Sequence, residues 1–212
     1  ALTETSNKEY RQWKSEHNSS SIRGLSLDLN DQPVSNIAWQ DAALFCNWLS
    51  EKENLPKFYN VVGDRVTSIN WDSNGYRLPT ESEWSWVAKV TKAGSTKVFP
   101  WNSPSYPPPF VSGNYADESA KSMLPFTISN YNDSFPVSAS VGSFRPNEKG
   151  IFNLSGNVAE WVNDFYEIRV NKSEPLVDYR GPNTGNRHVI RGASWALGSR
   201  SELRLSYREP GN

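Results

Sequence analysis

Thiols and imidazoles are scarce in this chain. Cys46 is the single cysteine, and His17 and His188 are the two histidines. One thiol excludes an internal disulfide framework, although it leaves the cellular compartment open. The two histidines form no HxxxH pair, so they are read as structural or solvated residues. Excess charge is missing as well. The 22 Lys+Arg residues face 23 Asp+Glu, for a net charge of −1, which argues against nucleic acid or an anionic membrane as the main partner. Apolar residues make up 36 % of the chain, and no run of them approaches the roughly 20 needed to span a bilayer. No GxGxxG, P-loop or GxSxG motif occurs, so nucleotide binding and serine-hydrolase chemistry lack their usual supports. Repeats, low-complexity tracts and a signal-peptide pattern are likewise absent; Ala1 is compatible with a removed upstream segment or anchor.

What the chain has in quantity is aromatic rings: nine Trp, nine Tyr and nine Phe among 212 residues, with 13 Gly and 14 Pro. The length fits one large domain or two small ones and suffices for a substantial core. Trp and Tyr bury a ring while pairing a polar edge, so the composition points to a loop-rich fold.

Periodicity marks a few elements. Residues 36–54, NIAWQDAALFCNWLSEKEN, read as a helix with Ala38, Ala42, Phe45, Cys46 and Leu49 on one face. That face gives Cys46 a core role. Residues 59–71 read as a hairpin turning at Gly63-Asp64. In 76-YRLPTESEWSWVAKV-90, Thr80 and Glu83 have capping-box spacing, and Trp84, Val87 and Ala88 form the buried face of a short helix. Glu83 is thereby occupied as a cap. Residues 188–195, HVIRGASW, and 203–208, LRLSYR, read as strands. Residues 100–150 carry eight of the fourteen prolines and little periodicity. So long an irregular segment needs support other than regular hydrogen bonding. The stretch 152-FNLSGNVAEWVNDF-165 is the least expected. Asn153, Ser155, Gly156, Asn157 and Glu160 run into Trp161, Val162 and Phe165, whose spacing is that of a buried helical stripe.

Together these segments resemble the formylglycine-generating enzyme, or sulfatase-modifying factor, family. The motifs stand in the family's order: PVSNIAWQDAALFCNWL, YRLPTESEWSWVAK, FPWNS, GNYAD, PVSASVGSFRPNEKGIFNLSGNVAEWVNDFY, and HVIRGASW followed by LRLSYR. They cover nearly the whole chain. The implied fold is α+β, the family's loop-rich variant of the C-type-lectin fold. One such domain would span 1–212 and lack an upstream and a closing strand.

The resemblance also implies calcium, at one or two ions. Carried over, Asn153 and Glu160 supply side-chain oxygens, and Gly156 and Val158 backbone carbonyls, to a first site. Asn114 and Asp133 supply side chains, and Tyr115 and Phe135 carbonyls, to a second, which would pin the proline-rich region. Hard oxygen ligands of these kinds are what calcium takes. Read from spacing alone, Asn153 and Glu160 equally suit the capped, solvated start of a helix.

The oxidase members of the family use two cysteines, copper and oxygen to convert a substrate cysteine to formylglycine. The corresponding segment here, 194-SWALGSRSELRLSYR-208, contains no cysteine, and Leu197 and Glu202 stand roughly where the pair would fall. The resemblance therefore implies a bacterial pseudoenzyme in the periplasm or at the cell surface, without copper, haem or nucleotide. It would bind a protein partner or extracytoplasmic ligand through Trp195, Leu197, Arg200 and Glu202, in recognition, scaffolding or regulation. The alternative is an enzyme with different chemistry in the equivalent cleft, an oxidoreductase or maturation factor.

Overall fold

A computed structural model describes residues 1–168 and 177–211. Along the chain run α1 (Asn7–Tyr10), β1 (Ser21–Ile22), β2 (Leu25–Ser26), α2 (Trp39–Lys52), β3 (Tyr59–Val62), β4 (Arg65–Ile69), α3 (Glu81–Lys89), β5 (Glu160–Phe165), β6 (His188–Arg191) and β7 (Arg208–Gly211). Two small sheets pair β1 with β2 and β3 with β4, and a third has the order β5-β6-β7. No helix among the described residues is long and apolar enough to cross a membrane.

The chain divides into two compact units. The first comprises Ala1–Asn36, Trp84–Glu160 and Arg191–Arg208. It has little regular structure and is held by rings instead. Phe99 and Trp101 stack at 4.7 Å, and Tyr115, Ile128, Tyr131, Ala193 and Leu203 complete that cluster. A second cluster joins Leu27, Val137 and Trp195. Several polar side chains are paired with the backbone, as loops without ladders require. Asn7, fully buried, donates to the carbonyls of Leu27 and Leu29 at 3.0 Å each. Asn147 donates to Val87 O and accepts from the amides of Lys149 and Ile151. In this way the proline-rich region is supported by aromatic packing and side-chain-to-backbone bonds.

The second unit comprises Ile37–Glu83, Trp161–Ile190 and Glu209–Asn212. Its core joins Trp39, Ala43, Cys46, Phe58 and Tyr59, with Val66, Ile69, Trp71, Leu78 and Trp161 against it. The buried stripe of α2 thus includes Trp39 and Ala43 as well as Ala42, Phe45 and Cys46, while Ala38 is the exposed N-cap residue. The hairpin forms as expected, with Val62 opposite Arg65 and Gly63 at φ +59°. The capping box of α3 is present too. Thr80 Oγ1 accepts from Glu83 N at 3.1 Å, and Glu83 accepts from Thr80 N at 2.8 Å.

Two expectations are corrected. The residues Trp161, Val162 and Phe165 lie on a strand, β5, not on a helix. Val162, Asn163 and Asp164 are all buried, so both faces of β5 are covered and period-two alternation is lost. Residues 203–208 are not a strand: Leu203 N bonds Ser199 O and Tyr207 N bonds Arg204 O in successive turns, and the strand starts only at Arg208. The alternation of Leu203 and Leu205 is real in burial, yet turns produce it.

Candidate functional site

The segment 153–160 is built on left-handed backbone. Asn153, Gly156 and Asn157 have φ of +51°, +90° and +62°, conformations that Gly and Asn adopt most readily. Ser155 O accepts from the Tyr115 hydroxyl and Asn157 O from Trp195 N. The carbonyls of Gly156 and Val158 accept no protein hydrogen bond among the described residues.

Asn153 is 8 % exposed. Its Nδ2 donates to both carboxylate oxygens of Glu4, at 2.9 and 3.0 Å, and its Oδ1 is buried without a partner. Glu160 is half-buried as a residue, but its carboxyl is desolvated, and burial pushes it up to about 8. The Trp84 indole, donating at 2.5 Å, works against that rise, and repulsion from Glu4 adds to it. Burial also raises the Glu4 carboxyl, opposed by the amides of Asn157 and Asn153.

In the second quartet Asn114, Tyr115 and Asp133 are buried and Phe135 is exposed. Asn114 is fully buried, donates to Val137 O at 2.8 Å and to Asn157 Oδ1 at 3.2 Å, and has an Oδ1 without a partner. Asp133 accepts from the amides of Tyr115 and Phe135, at 2.9 Å each. Burial nonetheless pushes its carboxyl up to about 7, with the neighbouring Asp117 contributing. The amide of Asp133 in turn donates to Asp117. The carbonyls of Tyr115 and Phe135 accept no protein hydrogen bond among the described residues.

The residues of each quartet belong to one unit and include a buried carboxamide oxygen that has no donor, a desolvated carboxylate and two carbonyls that accept no protein hydrogen bond among the described residues. A buried acceptor left unmade costs about 1–3 kcal/mol, and a hard cation is the ligand such a set of oxygens fits. No group of three or more His, Cys, Asp or Glu side chains is assembled among the described residues, so a cation held here depends on carboxamides and carbonyls as much as on charge. Glu4 and Asp117 were missed by the sequence reading. Asp117 lies three residues from Asn114 and was detectable as a nearby carboxylate, whereas nothing in the local pattern singles out Glu4.

Of the four residues expected to face a partner, Arg200 alone is exposed. Trp195 packs with Leu27 and Val137, and Leu197 packs against the main cluster of the unit. Glu202 turns inward on its own loop, accepting from Ser199 N at 2.8 Å and Gly198 N at 3.3 Å. Cys46 is buried in the second unit, and burial pushes its thiol up to about 12.

A family model for the sulfatase-modifying factor enzyme 1-like domain matches residues 2–212. The chain belongs to this family and has its variant of the C-type-lectin fold, without the paired cysteines. It is 28 % identical over 165 residues to the formylglycine-generating enzyme of Streptomyces coelicolor, covering 78 % of this chain and 42 % of that protein. It is 31 % identical over 150 residues to the chaperone protein LppX of Paenibacillus barcinonensis, covering 62 % and 51 % respectively. Mouse inactive C-alpha-formylglycine-generating enzyme 2 is 28 % identical over 172 residues, covering 77 % and 45 %. The chain thus spans about half or less of the curated relatives it matches, and they include enzymes and members without that activity. Among solved structures, Treponema denticola variable protein 1 superposes with a TM-score of 0.72 at 26 % identity, over 98 % of this chain and 76 % of that one. PvdO from Pseudomonas aeruginosa shares the fold, with a TM-score of 0.66 at 20 % identity over 99 % and 72 %.

Proposed function

We propose that this chain is a calcium-stabilised, non-catalytic member of its family that acts in recognition, scaffolding or regulation of a protein partner or other ligand. The observation that carries the calcium reading is the pair of buried carboxamide oxygens, Asn153 Oδ1 and Asn114 Oδ1, left without donors. Each sits in a quartet whose other oxygens are of the hard type. Asn153, Gly156, Val158 and Glu160 would hold one ion, and Asn114, Tyr115, Asp133 and Phe135 the other. Bound calcium would fix loops that have no ladder of their own and would neutralise carboxylates now desolvated. A periplasmic or cell-surface location, where calcium is about millimolar, suits sites of moderate affinity.

The non-catalytic reading rests on residues 194–208, which contain no thiol. Soft thiolates are the ligands that Cu(I) prefers, and the lone thiol elsewhere is buried. The inactive and chaperone-named relatives make a recognition role the nearest analogy, and Arg200 is the exposed side chain with which we begin the partner face.

Melting the protein in EGTA and again with added calcium tests the first half. A ligand that binds the folded state alone stabilises by about 2.7 kcal/mol at a hundredfold excess over Kd, so the melting temperature should rise. An unchanged melting curve would remove calcium from the proposal. Incubation with Cu(I), oxygen and a sulfatase-type cysteine peptide tests the second half, and aldehyde formed above a no-enzyme control would overturn it.

A further inference from the structure

The C-terminal half of α3 turns a tryptophan outward. Trp84 and Ala88, one helical turn apart, are buried at 2 % and 7 % exposed. Trp86 therefore falls on the opposite side of the helix, where it is 57 % exposed. Beyond the helix the chain folds back on itself: Val90 bridges Thr96, and Thr91 N donates to Ser95 O and Lys97 N to Lys89 O, at 2.9 Å each. Residues 145–149 close against this return. Asn147 Nδ2 donates to Val87 O at 3.1 Å, and Lys149 donates to Val90 O. Glu148 accepts from the Lys92 amide at 3.0 Å and meets the Lys97 ammonium at 2.8 Å.

Residues 86–98 and 145–149 carry five basic side chains and one acidic one, Glu148, in a chain of net charge −1. Lys97 is paired with Glu148, and Lys89 sits in the last turn of α3, where a cation complements the helix dipole. Neither reason covers Lys92 or Arg145, which are exposed and, among the described residues, have no acidic partner. Lys149 holds its ammonium 4.6 Å from the centre of the Trp86 ring, so a ring and a cation are presented together. Trp and Arg are the residue types enriched at binding hot spots. A bilayer fits this face poorly. Trp86 enters hydrocarbon only by carrying the Lys149 charge with it or by giving up that contact, and Val98 is the one other large apolar side chain exposed in these two segments.

We propose that this face docks an acidic segment of a protein partner, with carboxylates against Lys92, Arg145 and Lys149 and an apolar side chain on Trp86. The inference rests on the recognition reading above, supplies the partner's chemistry, and draws on neither calcium nor Arg200.

Fluorescence anisotropy of a dye-labelled peptide of repeated Glu-Glu-Phe, mixed with the full chain, tests it. Glu-Glu-Ser and Lys-Lys-Phe peptides, phosphatidylglycerol vesicles and single-stranded DNA are the comparison probes. The Glu-Glu-Phe peptide should bind best, and more weakly once salt shortens the Debye length below about 8 Å. Trp86→Ala, and Lys92→Glu combined with Arg145→Glu, should each weaken binding at least about tenfold and leave the melting curve unchanged, because all three side chains are exposed. If the double variant does not fold, Arg145→Glu alone decides. Lys149 is left unaltered because it also caps Val90 O. Undiminished binding in these folded variants would overturn this surface, and its loss in Arg200→Ala would then keep the recognition reading. Vesicles or DNA bound in preference to the peptide would overturn the acidic segment as the occupant. No binding of any probe by the unaltered chain would overturn this inference and the recognition reading with it.

Discussion

Trp39 and His188 stack face to face, with ring centroids 3.6 Å apart and planes 4° from parallel. Phe165 lies against the same imidazole at 4.3 Å, and His188 Nδ1 meets Asn163 O at 3.0 Å. A carbonyl only accepts, so Nδ1 carries the proton of a neutral ring. Burial lowers the imidazole from 6.5 to about 4. Its contribution to stability is therefore complete above about pH 6.5 and is lost as pH falls toward 4, because the unfolded chain takes up a proton that the folded ring refuses. The ring is only half-buried, so we expect roughly 1–2 kcal/mol over that window. Glu160 and Asp133, raised by burial, have the opposite dependence, so the effect must be read as a difference between proteins. Urea denaturation of the wild type and His188→Phe at about pH 7 and about pH 4.5 should show the wild type losing more. Equal losses would remove His188 as the cause.

Cys46 should be chemically silent. It is buried at 8 % exposure among Trp39, Ala43, Phe58 and Tyr59. The thiolate is the reactive form, and with the thiol pushed up to about 12 almost none is present near neutrality. A chromogenic disulfide reagent should label the urea-unfolded chain within minutes and the native chain only as fast as it opens. Native labelling at the rate of a free thiol would contradict this placement. Cys46→Ala should cost about 1–2 kcal/mol through the space it leaves.

The legible parts of the fold were those with local causes. Gly63 closes a two-residue turn between β3 and β4, and Thr80 and Glu83 satisfy each other's backbone amides within one helical turn. The illegible parts depend on distant partners. In β5, Trp161 donates to Ile37 O and Asn163 accepts from the Tyr59 hydroxyl. Polar and apolar residues are thus buried alike, and the spacing imitates a helix. Residues 203–208 show the converse, since turns bury Leu203 and Leu205 where alternation suggests a strand. The two oxygen quartets of the proposal come only from resemblance, because no periodicity links their residues. Glu4 lay beyond any local signal. Trp195, chosen for its residue type, is a core ring, as large aromatics in a loop-built unit tend to be.

Gly156 is the position where the first quartet has least room. Its φ of +90° suits glycine, and a Cβ built there would meet Asn114 O at 2.7 Å, Tyr115 Cε1 at 2.9 Å and Asn114 N at 3.1 Å. Two of these are backbone atoms of Asn114, which is held by Asn157 N donating to its carbonyl, while Gly156 is held by its own N–H donating to Ala193 O, at 2.8 Å each. Neither can retreat without breaking a buried bond. Gly156→Ala should therefore cost about 2–4 kcal/mol, combining left-handed strain with displacement of Asn114. Gly150 provides the comparison, with φ +81° and nothing within 4 Å of the added atom. Gly150→Ala carries the strain alone and should cost about 1 kcal/mol. Urea denaturation in EGTA should show Gly156→Ala as the less stable by at least about 1 kcal/mol. Equal losses would mean that backbone conformation, not the close approach of Asn114, is what requires glycine between the two quartets.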